Sequence, residues 1–497
     1  MGYPAPLLSK EGLGEVLAAT ISSSHSGYTS MRSARMVRGT RRREGTMRTP
    51  RETRDALPGT DDLAAMVRAA AQPLHGPADL DPLMERIGDA RLVLLGEASH
   101  GTSEYYTWRA ALSRRLIREK GFSFVAVEGD WPDCYRVNRY VKGYEDSGES
   151  AYEVLHAFDR WPTWMWANRE VEEFTEWLRR RNFILPEERK VGFYGLDVYS
   201  LWDSLRAVLE YLEDADGGAV EAARAALRCF EPFGGDVQDY AWHTMMVPDA
   251  CEDDVVELLR ALRGAAPQFQ NDGRESYFDA EQNAFVAKNA ERYYRAMVRS
   301  NASSWNVRDE HMADTLDRLL AHHGPDARAI VWEHNTHIGD SRHTDMARAG
   351  MHNIGRLARE RHERDGAVLV GFGGYRGSVI AGRAWNAPME RMPVPEAIPG
   401  SWEDVMRRAA MANGSGSGAM LLMLEDLRNS EVATQARGHR AIGVVYDPDH
   451  ERGNYVPSSL PWRYDAFLFF ENTRALRPIH MEPKDDGEVP ETYPSAV

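Results

Sequence analysis

Four times along this chain a short apolar run breaks off into acidic and imidazole side chains, and that repetition constrains the fold more than any other feature. Residues 91–101 read Arg-Leu-Val-Leu-Leu-Gly-Glu-Ala-Ser-His-Gly. The apolar part is short and unbroken, as in a strand covered on both faces. It stops at Gly96 and delivers Glu97 and His100, with Gly101 behind them. Residues 122–127 repeat the pattern and end in Glu128-Gly129-Asp130-Trp131-Pro132, and residues 191–196 end in Asp197. A fourth run, 328–332, ends in Glu333-His334-Asn335-Thr336-His337. A lone histidine after a strand is usually a solvated loop residue. Open α/β sheets, however, bind ligands at the carboxyl ends of their strands, so placement repeated at several strand ends points to one site.

The spacing between the first two runs predicts a helix capped at Thr102 or Ser103 and closed by Gly121, with Tyr105, Trp108, Leu112 and Leu116 as its buried stripe. Arg109 lies on the same helix and leans toward the first strand end. Strand, crossover helix and strand form a right-handed unit, which makes the two strands parallel and predicts that they are neighbours. Further strands are expected at 367–372, 420–424, 441–446 and 466–470. The stretch from 201 to about 320 carries long helical patterns with acidic faces and no strand signal, and Arg308, Asp309 and His311 are placed at the opening of the last of them. The expected fold is therefore α/β, a mostly parallel β-sheet flanked by helices, with a large helical insertion forming a lobe over the C-terminal edge of the strands. Residues 56–200 and 326–475 are assigned to the core and 201–325 to the insertion. Residues 1–55 are read as a disordered basic extension and 476–497 as a flexible acidic tail.

Composition narrows the function. The 497 residues carry a formal charge of −16, which argues against nucleic acid or an anionic membrane as partner. No apolar stretch approaches the ~20 residues needed to cross a bilayer. Residues 1–54 differ, with ten basic against four acidic residues. The three cysteines, Cys134, Cys229 and Cys251, show no C-x-x-C spacing. A disulfide framework is not expected, and a reducing cytoplasm fits. The Trp161-Pro162-Thr163-Trp164-Met165-Trp166 cluster reads as core, with an apolar ligand wall as the sharper alternative. The glycines of 371–377 weakly resemble a phosphate-binding loop, and 413–418 reads as a flexible surface loop.

The chemistry that suits these groups is water activation. A neutral imidazole beside a carboxylate takes a proton from water, and the carboxylate stabilises the imidazolium that forms. His100 is the expected base, oriented by Glu97 or Glu128, with His334, His337 and Arg109 polarising the carbonyl. Asp130, Trp131, Asp197, Arg308 and Asn335 are expected to line the substrate side. No G-x-S-x-G elbow is present, which disfavours a covalent serine route. Two carboxylates and three histidines could instead hold a divalent metal, although no H-E-x-x-H spacing occurs. The expected enzyme has no cofactor and a small-molecule substrate.

Taken in order, Gly96-Glu97-x-x-His100-Gly101, Arg109, Val127-Glu128-Gly129-Asp130-Trp131, Trp305-Asn306-x-Arg308-Asp309 and Trp332-Glu333-His334-Asn335-x-His337 resemble the erythromycin esterase family, which includes succinoglycan-biosynthesis-like homologues. The resemblance runs from about residue 63 to 471. It implies hydrolytic opening of an ester or macrolactone, without metal, and macrolide inactivation as one outcome. By position it implies His100 as the base, Glu97 and Glu128 as the functional glutamates, Arg109 as the arginine, and His334 with His337 as the histidine pair. The tryptophan-rich helices and the Glu-Gly-Asp-Trp-Pro-Asp sequence are closer to the homologues than to the resistance enzymes. A metal-dependent hydrolase and a non-hydrolytic accessory protein of polysaccharide biosynthesis are the remaining readings.

Overall fold

In the computed structural model, residues 59–480 are described, except 215–218, 234–239, 242, 245–250, 266–273 and 413–417. The expected extension at 1–55, most of the 413–418 loop and residues 481–497 lie outside the described residues.

The short apolar runs become strands whose alternate side chains feed two cores. On β2 (Leu92–Leu95), Val93 and Leu95 join one hydrophobic cluster while Leu92 and Leu94 join the other. β3 (Phe124–Val127) and β5 (Ala329–Trp332) divide in the same way. Both faces are covered, which is why these strands read as continuous hydrophobics rather than alternating ones. Helices Ser103–Lys120 and Arg169–Phe183 cover one face. Helices Thr60–Ala70, Asn301–His323 and Trp402–Ala412 cover the other.

With β1 (Ala71–Pro73), β4 (Gly192–Gly195), β6 (Ala367–Gly382), β8 (Ala419–Met423) and β11 (Ala466–Asn472), the strand order is β1-β8-β11-β6-β2-β5-β3-β4. The six strands from β11 to β4 run parallel. β8 and β1 add antiparallel at one edge, and β7 (Met389–Val394) pairs antiparallel with the far half of β6. The expected mostly parallel sheet flanked by helices is present.

Some expectations are corrected. β2 and β3 are parallel but not neighbours, because β5 returns after the helical insertion and pairs with both. The glycines at 371–377 form no loop. They lie inside β6, where a Cβ at Gly371 would meet Phe467 and Tyr464 at 2.8 Å, so close packing against β11 and its lead-in demands them. Residues 441–446 are not a strand and make only isolated bridges through Ile442 and Val445. Their backbone is claimed singly by Ser99 and Gly382, and the local two-stranded pair is instead β9 (Arg437–Arg440) with β10 (Tyr455–Ser458). Of the segment read as a free tail, residues 476–479 are tied down, with Arg477 O accepting Arg169 N–H and Ile479 N–H donating to Ala167 O.

Helices Leu201–Asp214, Val220–Phe230, Glu252–Ala265 and Arg274–Met297 build a hydrophobic cluster of their own. The next helix, Asn301–His323, opens earlier than expected, at Ser300, whose side chain caps it, so Arg308 and Asp309 fall inside the helix. Met312, Leu316 and Leu319 pack it on the sheet, while Val307 reaches the insertion's cluster. Cys229 and Cys251 form a disulfide inside this insertion, against expectation. A pairing of the last turn of one helix with the residue before the next, 22 positions apart, carries no spacing signature, and it removes the support that the cysteines lent to a reducing compartment. Among the described residues no helix is long and apolar enough to cross a membrane.

Candidate active site

The order β2-β5-β3-β4 sets four adjacent carboxyl ends side by side, and all the expected groups arrive there. Glu97 and His100 follow β2, Glu333, His334 and His337 follow β5, Glu128 follows β3 and Asp197 follows β4. Each is buried. The approach of the strand ends requires Gly96, where a Cβ would lie 2.1 Å from Asn335 Oδ1.

His100 donates from Nδ1 to Glu97 Oε1 at 3.0 Å, and Arg109 donates from Nη2 to Glu97 Oε2 at 2.8 Å. A carboxylate held by arginine accepts only, so His100 Nδ1 carries a hydrogen and, in the neutral ring, Nε2 carries a lone pair. Among the described residues His100 Nε2 has no hydrogen-bond partner. His334 has the opposite tautomer. Its Nδ1 accepts from the Thr336 main-chain N–H at 3.3 Å and lies 2.8 Å from the Thr336 hydroxyl, which leaves the hydrogen on Nε2. That atom too has no partner, and the two rings stand 4.9 Å apart. Burial, together with the charges of His100 and His337, holds the His334 pKa well below its ordinary value despite Glu128, so this ring stays neutral. The main-chain N–H of His334 is pinned to Glu128 Oε2 at 2.7 Å.

Behind these two rings lies a buried ion cluster. Arg308 donates through Nε and Nη2 to both oxygens of Asp197, at 2.9 and 2.7 Å, and from Nη2 to Glu128 Oε1 at 2.7 Å. Burial alone would raise the Glu128 pKa. His337, Arg308, His100 and the His334 N–H reverse that and hold Glu128 well below the usual carboxylate range. His337 is engaged at both nitrogens, with Nδ1 on Asp309 at 3.0 Å and Nε2 3.0 Å from Arg308 Nη1, and its ring stacks on Trp305 at 4.5 Å. Asp309 does not cap its own helix. It accepts the Ile354 N–H at the start of the helix Ile354–Arg361.

The residues expected on the substrate side hold the frame. Trp131 stacks on Tyr135 and Tyr194 and donates its indole N–H to Asp279. Asp130 pairs with buried Arg160. Asn335 clamps β6, giving Nδ2–H to Phe372 O at 2.7 Å and accepting Phe372 N–H at 3.3 Å, while its own N–H reaches Glu97 O at 2.8 Å. Trp161, Trp164 and Trp166 are core, and Trp166 donates to Glu128 O.

Glu333 was visible in the sequence but unassigned. Among the described residues neither carboxyl oxygen has a hydrogen-bond partner, and burial, with repulsion from Glu128 and Asp309, pushes its pKa well above the ordinary range against the pull of Arg308. Glu403 and His439, bonded at 2.7 Å, reach Asn335 from β9 and the helix Trp402–Ala412. No charge-after-strand pattern announces them. Among the described residues no group of three or more His, Cys, Asp or Glu side chains is arranged to hold a metal ion.

Fold and site define an α/β protein with two oppositely protonated imidazoles at the ends of adjacent parallel strands. The chain belongs to the erythromycin esterase family, whose model matches residues 117–473. The span begins beyond Glu97, His100 and Arg109, whose grouping with the rest is therefore seen in the geometry. The chain is 24% identical over 279 residues to an Escherichia coli protein named erythromycin esterase type II, covering 52% of this chain and 63% of that relative. A crystal structure titled succinoglycan biosynthesis protein superposes with a TM-score of 0.68 at 20% identity, over 85% of this chain and 100% of the other. An erythromycin esterase variant, EreC, in its open conformation gives 0.59 at 18% identity, over 80% and 95% of the two chains. At these identities the structural likeness shows the fold.

Proposed function

We propose that the protein is a hydrolase that activates water to cleave the ester bond of a small molecule, a macrolactone being one substrate of this class. The observation that carries the reading is the pair of tautomers: a base nitrogen on His100 and a donor nitrogen on neutral His334, in rings 4.9 Å apart. Water at His100 Nε2 gives up a proton as its oxygen attacks the carbonyl carbon, and Glu97 stabilises the imidazolium that forms. The carbonyl oxygen becomes an oxyanion and takes a hydrogen bond from His334 Nε2–H. Collapse of the tetrahedral intermediate expels the alcohol oxygen, which takes the proton back from His100. Arg109 holds Glu97. Glu128, held by Arg308, seats His334 through its main-chain N–H.

The test is hydrolysis of 4-nitrophenyl esters, simple lactones and macrolides by the purified protein, with and without chelator. Chelator-independent turnover is expected, and His100→Asn should reduce it by roughly 10² to 10⁴-fold, the usual worth of a general base, without loss of fold. Turnover abolished by chelation would move the reading to a metal-dependent hydrolase. Cleavage of no ester at all would leave a binding or biosynthetic accessory role.

A further inference from the structure

Thr336 stands between His334 and His337 on the short helix Asn335–Ile338, and it is buried. Its main-chain N–H points at His334 Nδ1 from 3.3 Å, which makes that nitrogen an acceptor. Its hydroxyl oxygen lies 2.8 Å from the same nitrogen and therefore donates to it. Among the described residues the hydroxyl makes no other hydrogen bond. The residue is held from behind, because its carbonyl oxygen accepts Asn353 Nδ2–H at 2.6 Å and Asn353 caps the helix Ile354–Arg361. A valine would fill nearly the same volume without placing a polar atom in the interior. The hydroxyl proton is thus committed to the back of one ring. On His100 the Nδ1 hydrogen goes to the Glu97 carboxylate, which strengthens Nε2 as a base. On His334 two donors converge on Nδ1, and hydrogen bonds in a chain polarise one another, so Nε2–H becomes a stronger donor.

We propose that Thr336 is a positioning residue whose hydroxyl fixes the His334 ring and strengthens Nε2–H as donor to the oxygen that becomes negative when water adds to the carbonyl. The inference rests on the hydrolase reading above. Thr336 acts only through His334, and its own proton stays on the hydroxyl oxygen. The effect grows with the charge on the oxygen that His334 meets. It is larger in the transition state than in the bound ester, so its loss falls on kcat rather than KM.

The experiment separates the hydroxyl from the methyl group of this side chain. Thr336→Val keeps the methyl packing and loses the donor, whereas Thr336→Ser keeps the donor and loses the methyl. Both are compared with the unaltered protein and with His100→Asn on 4-nitrophenyl acetate and a simple lactone, and thermal unfolding of each is measured. Expected for Thr336→Val are a kcat lower by about 5- to 10-fold, the scale of one neutral hydrogen bond and its polarisation, and a KM within about twofold. Thr336→Ser is expected to hold kcat within about twofold even where the lost methyl lowers its Tm. If kcat follows Tm instead, with Thr336→Ser falling as far as Thr336→Val, the inference is overturned and the threonine serves packing alone. Unchanged kcat in Thr336→Val, or a loss confined to KM, overturns it as well, and impaired His100→Asn then leaves the hydrolase reading standing. Absence of turnover by the unaltered protein overturns the hydrolase reading and this inference with it.

Discussion

His100 and His334 are the same residue type in the same rim, and what separates their roles is the partner of Nδ1. Glu97 accepts a hydrogen bond from the Nδ1–H of one, and Thr336 gives its N–H to the Nδ1 of the other. The surrounding ions hold that arrangement in place. Arg308 is fully buried and carries both Asp197 and Glu128. Removing one partner of a buried ion pair strands the other charge, which typically costs about 3–5 kcal/mol. Arg308→Ala is therefore expected to lower stability in urea denaturation by about that amount. Arg308→Lys is expected to recover only part of it, since a point charge cannot match the fork that spans both Asp197 oxygens. Equal stability of Arg308→Ala and the unaltered protein would show that the cluster is solvated rather than buried. Much of this site was legible in the sequence, because a strand covered on both faces has to change composition abruptly where it emerges at Glu97, Glu128, Asp197 and Glu333. What was not legible is which side chains stay free. His337 and Asn335 stood in the same motif as His334, yet their polar atoms are spent on Asp309, Arg308 and Phe372, contacts that depend on the return of elements from elsewhere in the chain.

At the scale of elements, β5 is the piece that sequence order concealed. It comes after the helical insertion and still pairs between β2 and β3, which brings His334 between Glu97 and Glu128. The far end of that placement is held by His439 on β9. His439 donates from Nδ1 to Glu403 at 2.7 Å, and Asn335 lies 3.3 Å from its Nε2. Burial pushes the His439 pKa down, Glu403 works against that, and Arg463 and Arg440 add to it. A second proton would set an N–H against the Asn335 amide. A folded-state pKa below the unfolded value of about 6.5 means that the unfolded chain binds more protons in this window, so the group's contribution is complete above pH 6.5 and lost as pH falls below it. His439→Gln keeps an acceptor for Asn335 and a donor for Glu403 but does not titrate. Relative to this variant, the unaltered protein is expected to lose up to about 1.4 kcal/mol of stability per pH unit below 6.5. Parallel stability curves between pH 5 and 7 would refute the assignment of a neutral His439. Glu403 and His439 escaped the sequence reading because Arg437–Arg440 is a short strand of polar residues in a two-stranded pair, without the apolar run that flags a central strand.

Across the whole molecule, the insertion owns a hydrophobic cluster and a disulfide, and it meets the sheet body through Phe278 and Val286, which join the sheet's cluster, and through polar anchors. Lys142 and His322 hold Glu275 at 2.7 and 3.0 Å, and Trp131 holds Asp279 at 2.7 Å. A segment with most of its apolar side chains in a cluster of its own can open at lower cost than the strands. The Cys229–Cys251 link closes a 22-residue span inside it, so its loss acts on the insertion's unfolded state and not on the parallel strands. A loop of that length is worth roughly 3 kcal/mol in the chain-entropy account. The double variant Cys229→Ser with Cys251→Ser is therefore expected to lower the unfolding free energy of the insertion by about that amount. Native-state hydrogen exchange should show it: amides in Leu201–Asp214, Val220–Phe230 and Arg274–Met297 should exchange faster, while those of β2, β3 and β5 keep their protection. If the strand amides lose protection equally, insertion and sheet unfold as one, and Phe278, Val286 and the anchors at Glu275 and Asp279 bind the two parts into a single unit. If neither changes, the two thiols already stand apart in solution. With the strand amides still protected, the insertion loosens without disturbing the strand ends that carry His100 and His334.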